Sequence, residues 1–556
     1  MATSEVTADT TESTSKQNQL LFWGCFAALI ATAFGFQVRA MLMETWGAEF
    51  GIDKTQQGEI FGAGLWPFAI SIIIFSLIID RIGYGKAMIF AGICHIIQAV
   101  MLYSAGGENA YTTLYWGSIV GALGNGTVEA VINPVVATMF PKQKTKWLAI
   151  LHAGWPGGLV IAGLLFMGVA SKNDAGHIVN YSTIILLTLL PIVAYAVMLF
   201  GRQFPVQERV KAGVSFKEML QEPGILSWSV AVVLVVLEVG RVFELNTTYK
   251  VIAMAALILP FAAYVQTLGR PIFFLMVLIM CPLATTELGT DSWITPLMTG
   301  EMKNVGIDAG WVLVYTSLIM MVLRFTAGPI VHSLKPLSLL AVSAGLAAVG
   351  LYLLGSVSGF ALIFAVATLY GFGKTFFWPA TLGVISEQFP KSGALGINMI
   401  AGIGMLSVGT LGAAWLGYVQ DVDTANVLKT EHAAIYDKTV ASTKEKSFLG
   451  MISYQSVDEQ SANDAEKATI ATVQDGSKKA VLRTATVLPV AMCVAYLALM
   501  TYFNANGGYQ AIHLDTDSAS VESTDATAAS DTAPGETAIE TEPPGDPEGS
   551  DDEASA

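Results

Sequence analysis

Residues 124–142 read Gly124-Asn125-Gly126-Thr127-Val128-Glu129-Ala130-Val131-Ile132-Asn133-Pro134-Val135-Val136-Ala137-Thr138-Met139-Phe140-Pro141-Lys142. Much later the chain repeats the scheme: Gly371 stands eight residues before Pro379, as Gly126 does before Pro134, and the run closes on Phe389-Pro390-Lys391. The inner prolines lie seven residues before Pro141 and eleven before Pro390, a difference close to one helical turn. Such an echo marks a duplicated unit, and membrane proteins built from parallel repeats show it. The stretch also holds polar groups in an apolar setting. Pro134 frees a backbone carbonyl that the interior must satisfy.

Working outward, a membrane helix needs about 20 mostly apolar residues. The segments 20–43, 57–79, 86–105, 112–140, 147–170 and 180–201 meet that need before the midpoint. After it come 226–243, 249–268, 271–298, 309–332, 337–356, 360–385, 393–419 and 482–503, about 14 in all. With 53% hydrophobic residues, 13% charged ones and a mean hydropathy of +0.57, the chain reads as an all-α polytopic membrane protein. Residues 514–556 carry thirteen acids and no base, so they hold nearly all of the net charge of −15.

The expected organisation is a disordered N-terminus (1–19), a six-helix half (20–201) and a basic cytoplasmic linker (202–225). An extra hairpin (226–268), a second six-helix half (269–503) and an acidic disordered tail (504–556) follow. The second half includes a long polar loop, 420–481, expected outside the membrane. Residues 1–18 lack the basic start of a signal peptide, so the first helix reads as a retained anchor. Cys25, Cys94, Cys281 and Cys493 all fall in apolar segments without metal-ligand spacing and read as packing residues. Lys142, Lys144, Lys146, Arg202, Arg209, Lys211 and Lys217 gather at even-numbered connections, which places both termini in the cytoplasm of a multi-pass plasma (inner) membrane protein.

The connection Ser76-Leu-Ile-Ile-Asp80-Arg81-Ile-Gly83-Tyr-Gly85-Lys86 resembles the loop signature of the major facilitator superfamily, with Ser76 in place of its usual first glycine. The resemblance implies two six-helix halves, here with a two-helix hairpin between them. Asp80, Arg81 and Gly83 would then act in gating, with Asp80 taking hydrogen bonds from a neighbouring helix N-terminus. The run Glu129-Ala-x-x-Asn133-Pro134, followed by Leu148 and His152, resembles the fucose–glucose–galactose–proton symporter family over about residues 20–160 and part of 271–298. By that resemblance Glu129 stands for the carboxylate of helix four, and His152 for a glutamine of helix five. Ala149 stands where that family has an asparagine. Ala40 stands where its first helix has a proton-titrating aspartate, with Arg39 beside it.

Charges inside a membrane are costly, about 2.5–3.5 kcal/mol on insertion scales, and so face a cavity or a partner. Glu129 and Asn133 share a face at i,i+4. His152 and Trp155 follow on the next segment. Gln37 and Arg39 lie on the first. The second half adds Glu287, Trp293, Lys374, Trp378 and Asn398, and Arg324 reads as a gate residue that pairs with an acid. A structural Glu–His or Glu–Arg pair is the plain alternative for Glu129. His95 with Gln98 reads as a satisfied polar pair, and Glu238 with Arg241 as an i,i+3 ion pair.

No phosphate loop, metal-ligand spacing or nucleophile elbow is present, so neither ATP-driven transport nor an enzyme is expected, nor any cofactor. The expectation is a monomeric secondary transporter in the lipid bilayer, without nucleic-acid partners. It would move a small-molecule solute by alternating access, as a proton-coupled sugar symporter with Glu129 titrating. A second reading is an organic-anion carrier or exchanger using Arg39 and Lys374. A third, of another class, is a non-transporting membrane sensor that uses the tail.

Overall fold

The computed structural model describes residues 2–174, 177–290, 310–441, 443, 445–448 and 452–514. Trp293 and the acidic stretch from 515 onward lie outside the described residues. Among the described residues, thirteen helices are long and apolar enough to cross a membrane, and a bent pair makes a fourteenth. In the first half these are α1 (Asn18–Phe50), α2 (Gln56–Ile82), α3 (Tyr84–Ser104), α4 (Gly107–Met139), α5 (Lys144–Val169) and α6 (Tyr181–Leu199). The hairpin is α7 (Gly224–Val242) and α8 (Thr247–Val265). The second half is α9 (Pro271–Gly289), α10 (Val314–Phe325 with Ala327–Ser333, bent by 63°), α11 (Pro336–Leu354), α12 (Phe360–Gln388), α13 (Pro390–Glu431) and α14 (Asp464–Ala505). Each falls on a segment read from hydropathy.

Local chemistry sets the joints. Gly83, at φ 83°, turns α2 into α3 within one residue, a backbone conformation that suits glycine. Pro271, Pro336 and Pro390 sit at helix starts, where a missing N–H costs nothing. The sequence echo extends to the ends of the two helices. Phe140 and Phe389 end α4 and α12 at φ −125°, ψ 61° and φ −130°, ψ 53°, and each donates its N–H four residues back. Pro134 lies inside a continuous helix, whereas α12 breaks after Lys374 and restarts at Phe377.

The two halves meet along paired helices. Ile72 and Ile73 of α2 pack on Gly402 of α13, and Met321 and Val314 of α10 pack on Gly157 and Gly163 of α5. Within the first half, α4 approaches α2 so closely at Gly126 that a Cβ there would stand 2.2 Å from the Phe68 carbonyl oxygen. One apolar core runs through both halves, and a second, around Phe34, Val38, Leu42 and Trp46, fills the α1 C-terminal end of the first half. The hairpin is held by α7, while α8 is exposed along nearly all of its apolar length. Glu238 and Arg241 form the i,i+3 pair at 2.6 Å.

Three local expectations are revised. The first helix already begins at Ala2, so the polar leader read as disordered continues it as helix. The stretch 420–481 is not a plain loop. α13 runs on to Glu431, and α14 starts at Asp464 behind an Asn463–Glu466 capping box. Between them lie a pair of short strands (Lys446–Phe448 with Ile452–Tyr454) and a short helix (Ala433–Thr439), whose Ile435 and Tyr436 pack on a small core of Leu428, Val440, Ala462, Ile470 and Val473. His95 is satisfied, but by Asn125 at 2.9 Å and the Tyr195 hydroxyl at 3.1 Å rather than by Gln98.

Candidate functional site

Three prolines organise the interior. A proline has no N–H for the carbonyl four residues before it. Pro134 thereby frees the oxygen of Ala130, Pro156 that of His152 and Pro379 that of Thr375. Each oxygen is taken by a buried side chain. Asn398 Nδ2 donates to Ala130 at 3.0 Å. Arg324 takes the other two: Nη1 donates to His152 at 2.9 Å and Nε to Thr375 at 2.7 Å. Two of these three bonds cross between the halves.

The third edge of the Arg324 fork meets a carboxylate. Nη2 donates to Glu287 Oε1 at 2.8 Å, and the Trp378 backbone N–H donates to Glu287 Oε2 at 3.1 Å. Glu287 stands in a π-helical turn, Thr285–Gly289, that ends α9, a distortion common at functional sites. A second π-turn, Val408–Gly412 in α13, packs on it so tightly that a Cβ on Gly412 would lie 2.5 Å from Thr285 Oγ1.

On the other half, Asn133 Nδ2 donates to Glu129 Oε2 at 2.7 Å, and Asn133 Oδ1 meets His152 Nε2 at 3.0 Å. One polar chain therefore runs Glu129–Asn133–His152–Arg324–Glu287–Trp378, passing through the backbone at His152. Glu129 stands ten residues from the end of α4, about 15 Å by helical rise, near the middle of a ~30 Å apolar core.

The remaining candidates are spread around this chain. Lys374 is buried, with Nζ 5.4 Å from the centre of the Tyr370 ring. Trp155 packs on Phe36 of α1 at 5.7 Å. Gln37 reaches towards Gly163 of α5, and its Oε1 has no partner among the described residues. Arg39 is not brought to Glu129: its guanidinium lies against Gly64, in the break within α2.

Asp80, Arg81 and Gly83, expected to act in gating, sit at the end of the bundle that carries the linker. Asp80 pairs with Arg209 of the linker, whose Nη1 also donates to Val214 at 2.6 Å, rather than with a helix N-terminus. Arg81 lies over the Phe216 ring at 5.5 Å. Arg324 is not at this end but in the central chain. Residues that sequence reading had passed over close this face. Thr145 Oγ1 donates to Glu387 Oε1 at 2.6 Å, and Lys144 Nζ to Glu208 at 2.7 Å and to the Ser386 carbonyl at 3.2 Å. Gln207 joins Tyr84 at 2.5 Å to the Ala394 N–H at 3.1 Å. In the sequence Lys144 reads only as a topological signal, and Glu387 is not singled out. Their positions beside the two Phe-Pro-Lys repeats were the available clue.

Beyond α14, the Tyr509 hydroxyl donates to Glu387 Oε2 at 2.8 Å, and Gln388 Nε2 to the Gln510 carbonyl at 2.7 Å. Burial beside Glu387 pushes the Tyr509 phenol well above its usual range, which keeps it a donor.

The family model of the Major Facilitator Superfamily matches residues 25–413. The chain belongs to the major facilitator superfamily. It is a multi-pass membrane transporter. No curated protein matches it by sequence. Among solved structures, this facilitator is similar to the proton:xylose symporter XylE bound to 6-bromo-6-deoxy-D-glucose (TM-score 0.56, 13% identity, 75% of this chain and 91% of that one). It is also similar to the transporter FucP in the outward conformation (TM-score 0.52, 13% identity, 86% and 99%). A third is the human organic anion transporter MFSD10 (TM-score 0.53, 10% identity, 86% and 99%). Identities this low establish the shared fold.

Proposed function

We propose that this facilitator moves a small polar solute by alternating access and couples it to protons through Glu129. The observation that carries the reading is the buried chain from Glu129 to Glu287. It ends in a carboxylate on each half and is joined across the halves by Arg324 and His152. A carboxyl group can change charge there. Protonation of Glu129 removes an acceptor from Asn133, which can reorient its amide and weaken the hold on His152. The bonds that tie the halves at mid-depth are then biased by one proton, which is what coupling requires. The sugar and organic-anion solutes of the similar structures mark the two solute classes to be tested.

The deciding experiment uses the purified full chain in proteoliposomes, with a panel of labelled hexoses and small acids and an inward proton gradient. Accumulation should require the gradient. Glu129→Gln should retain exchange of solute across the membrane but lose uphill accumulation. Full accumulation by that variant would remove Glu129 from the coupling role.

A further inference from the structure

Arg39 is 1% exposed, and its Nε and Nη1 find no acceptor among the described residues. A buried guanidinium stays charged, and leaving it without an acceptor is costly. Its surroundings are built for it. Cζ, Nε and Nη2 each lie 2.5 Å from where a Cβ on Gly64 would stand, so the plane of the group faces that residue and uses the space a side chain would take. Gly64 and Leu65 form the break between the helices Lys54–Ala63 and Trp66–Ile82. The second helix opens there with no side-chain cap.

One turn along α1, Phe36 lies 5.4 Å from Phe61 and 5.7 Å from Trp155, all three half-buried. Phe36 and Arg39 share a side of α1 at i,i+3, and Phe61 and Gly64 share a side of α2 in the same way. An aromatic floor thus adjoins a cation with no acceptor among the described residues.

We infer that this corner of α1, α2 and α5 binds a ring-shaped organic acid, its carboxylate on Arg39 and its ring on Phe36, Phe61 and Trp155. The carried solute is then a small carboxylate such as a hexuronate. This rests on the solute-carrier reading above and names its substrate class. A guanidinium offers two parallel N–H donors to a carboxylate, whereas a neutral hydroxyl uses one. A monocarboxylate moving with one proton carries no net charge, so a pH gradient drives its uptake and a membrane potential alone does not.

The test compares glucuronate (ring and carboxylate), gluconate (carboxylate without ring) and glucose (ring without carboxylate) in proteoliposomes of the full chain. Glucuronate should accumulate under an inward proton gradient but not under an inside-negative potential alone, and gluconate should compete more weakly. Arg39→Gln should lower glucuronate uptake about tenfold or more. Arg39→Lys should restore it only in part, because an ammonium lacks the fork. The variant could fold differently, so ligand-induced thermal stabilisation is measured alongside. Glucuronate should raise the melting temperature of the parent and leave that of Arg39→Gln unchanged. Glucose accumulation with no competition from glucuronate overturns the inference while leaving proton symport standing. So does glucuronate uptake untouched by Arg39→Gln, and so does the absence of both uptake and stabilisation by either carboxylate.

Discussion

Asn398 and Pro134 act on the same oxygen. The proline removes the helical donor of Ala130, and the amide supplies another from α13. Asn398→Ala should therefore leave a buried carbonyl unsatisfied and cost about 1–3 kcal/mol. In a Pro134→Ala background the helix provides its own N–H, and the cost of Asn398→Ala should shrink. Thermal unfolding of the four proteins in detergent gives the cycle directly. Equal costs in both backgrounds would show that the amide matters for some other reason. Arg324 is bound more deeply, to one carboxylate and two freed carbonyls. Arg324→Ala should cost about 3–5 kcal/mol, because it takes the guanidinium away from the buried Glu287 carboxylate. Arg324→Lys should recover little, since one ammonium cannot meet three acceptors set by a planar fork. A lysine variant of parental stability would contradict that geometry.

At the scale of elements, the joint between α5 and α12 decides whether the linker end stays shut. Glu387 receives Thr145 from one half and Tyr509 from the segment beyond α14. Glu387→Ala removes both ties. A cysteine placed at Ala137, which lines the small space between Lys144, Gln207 and Ser386, then reports opening. With Cys25, Cys94, Cys281 and Cys493 replaced, that cysteine should react with a water-soluble thiol reagent several-fold faster in Glu387→Ala than in the parent. An unchanged rate would mean that Lys144 and Gln207 hold the end closed without it. The hairpin differs. Because α8 is exposed along most of its length, Leu259→Ala should change thermal stability by no more than about 0.5 kcal/mol. A larger loss would show α8 covered by a partner.

Across the whole molecule, residues 506–514 tie the end of the last helix to the joint between the halves. A chain ending at Leu514 keeps those bonds and should transport as the full chain does. One ending at Ala505 loses them but keeps the Thr145–Glu387 bond, and should fall between the parent and Glu387→Ala in thiol reactivity. If both truncations behaved alike, the segment would have no part in closing that end.

The number and order of the membrane helices could be read from composition, because a bilayer demands about 20 apolar residues whatever else the chain does. The duplication was legible too, since Phe140 and Phe389 end their helices in nearly the same backbone geometry. So was the carbonyl freed by Pro134, a local consequence of proline. Which donor meets which acceptor was not legible. Asn398 is 268 residues from Ala130, and Arg324 is 172 from His152. Hydrogen bonds between helices depend on depth and rotation, and hydropathy carries neither. For the same reason hydropathy could not show that Arg39 lies against Gly64, or that Arg324, which does pair with an acid, also joins the two halves. The folded arrangement of 420–481 also escaped, because its small core comes from scattered residues without a long apolar run. The sequence alone determined what had to lie in the membrane. Only packing decided which buried charges would meet, because that choice is made between helices and not along them.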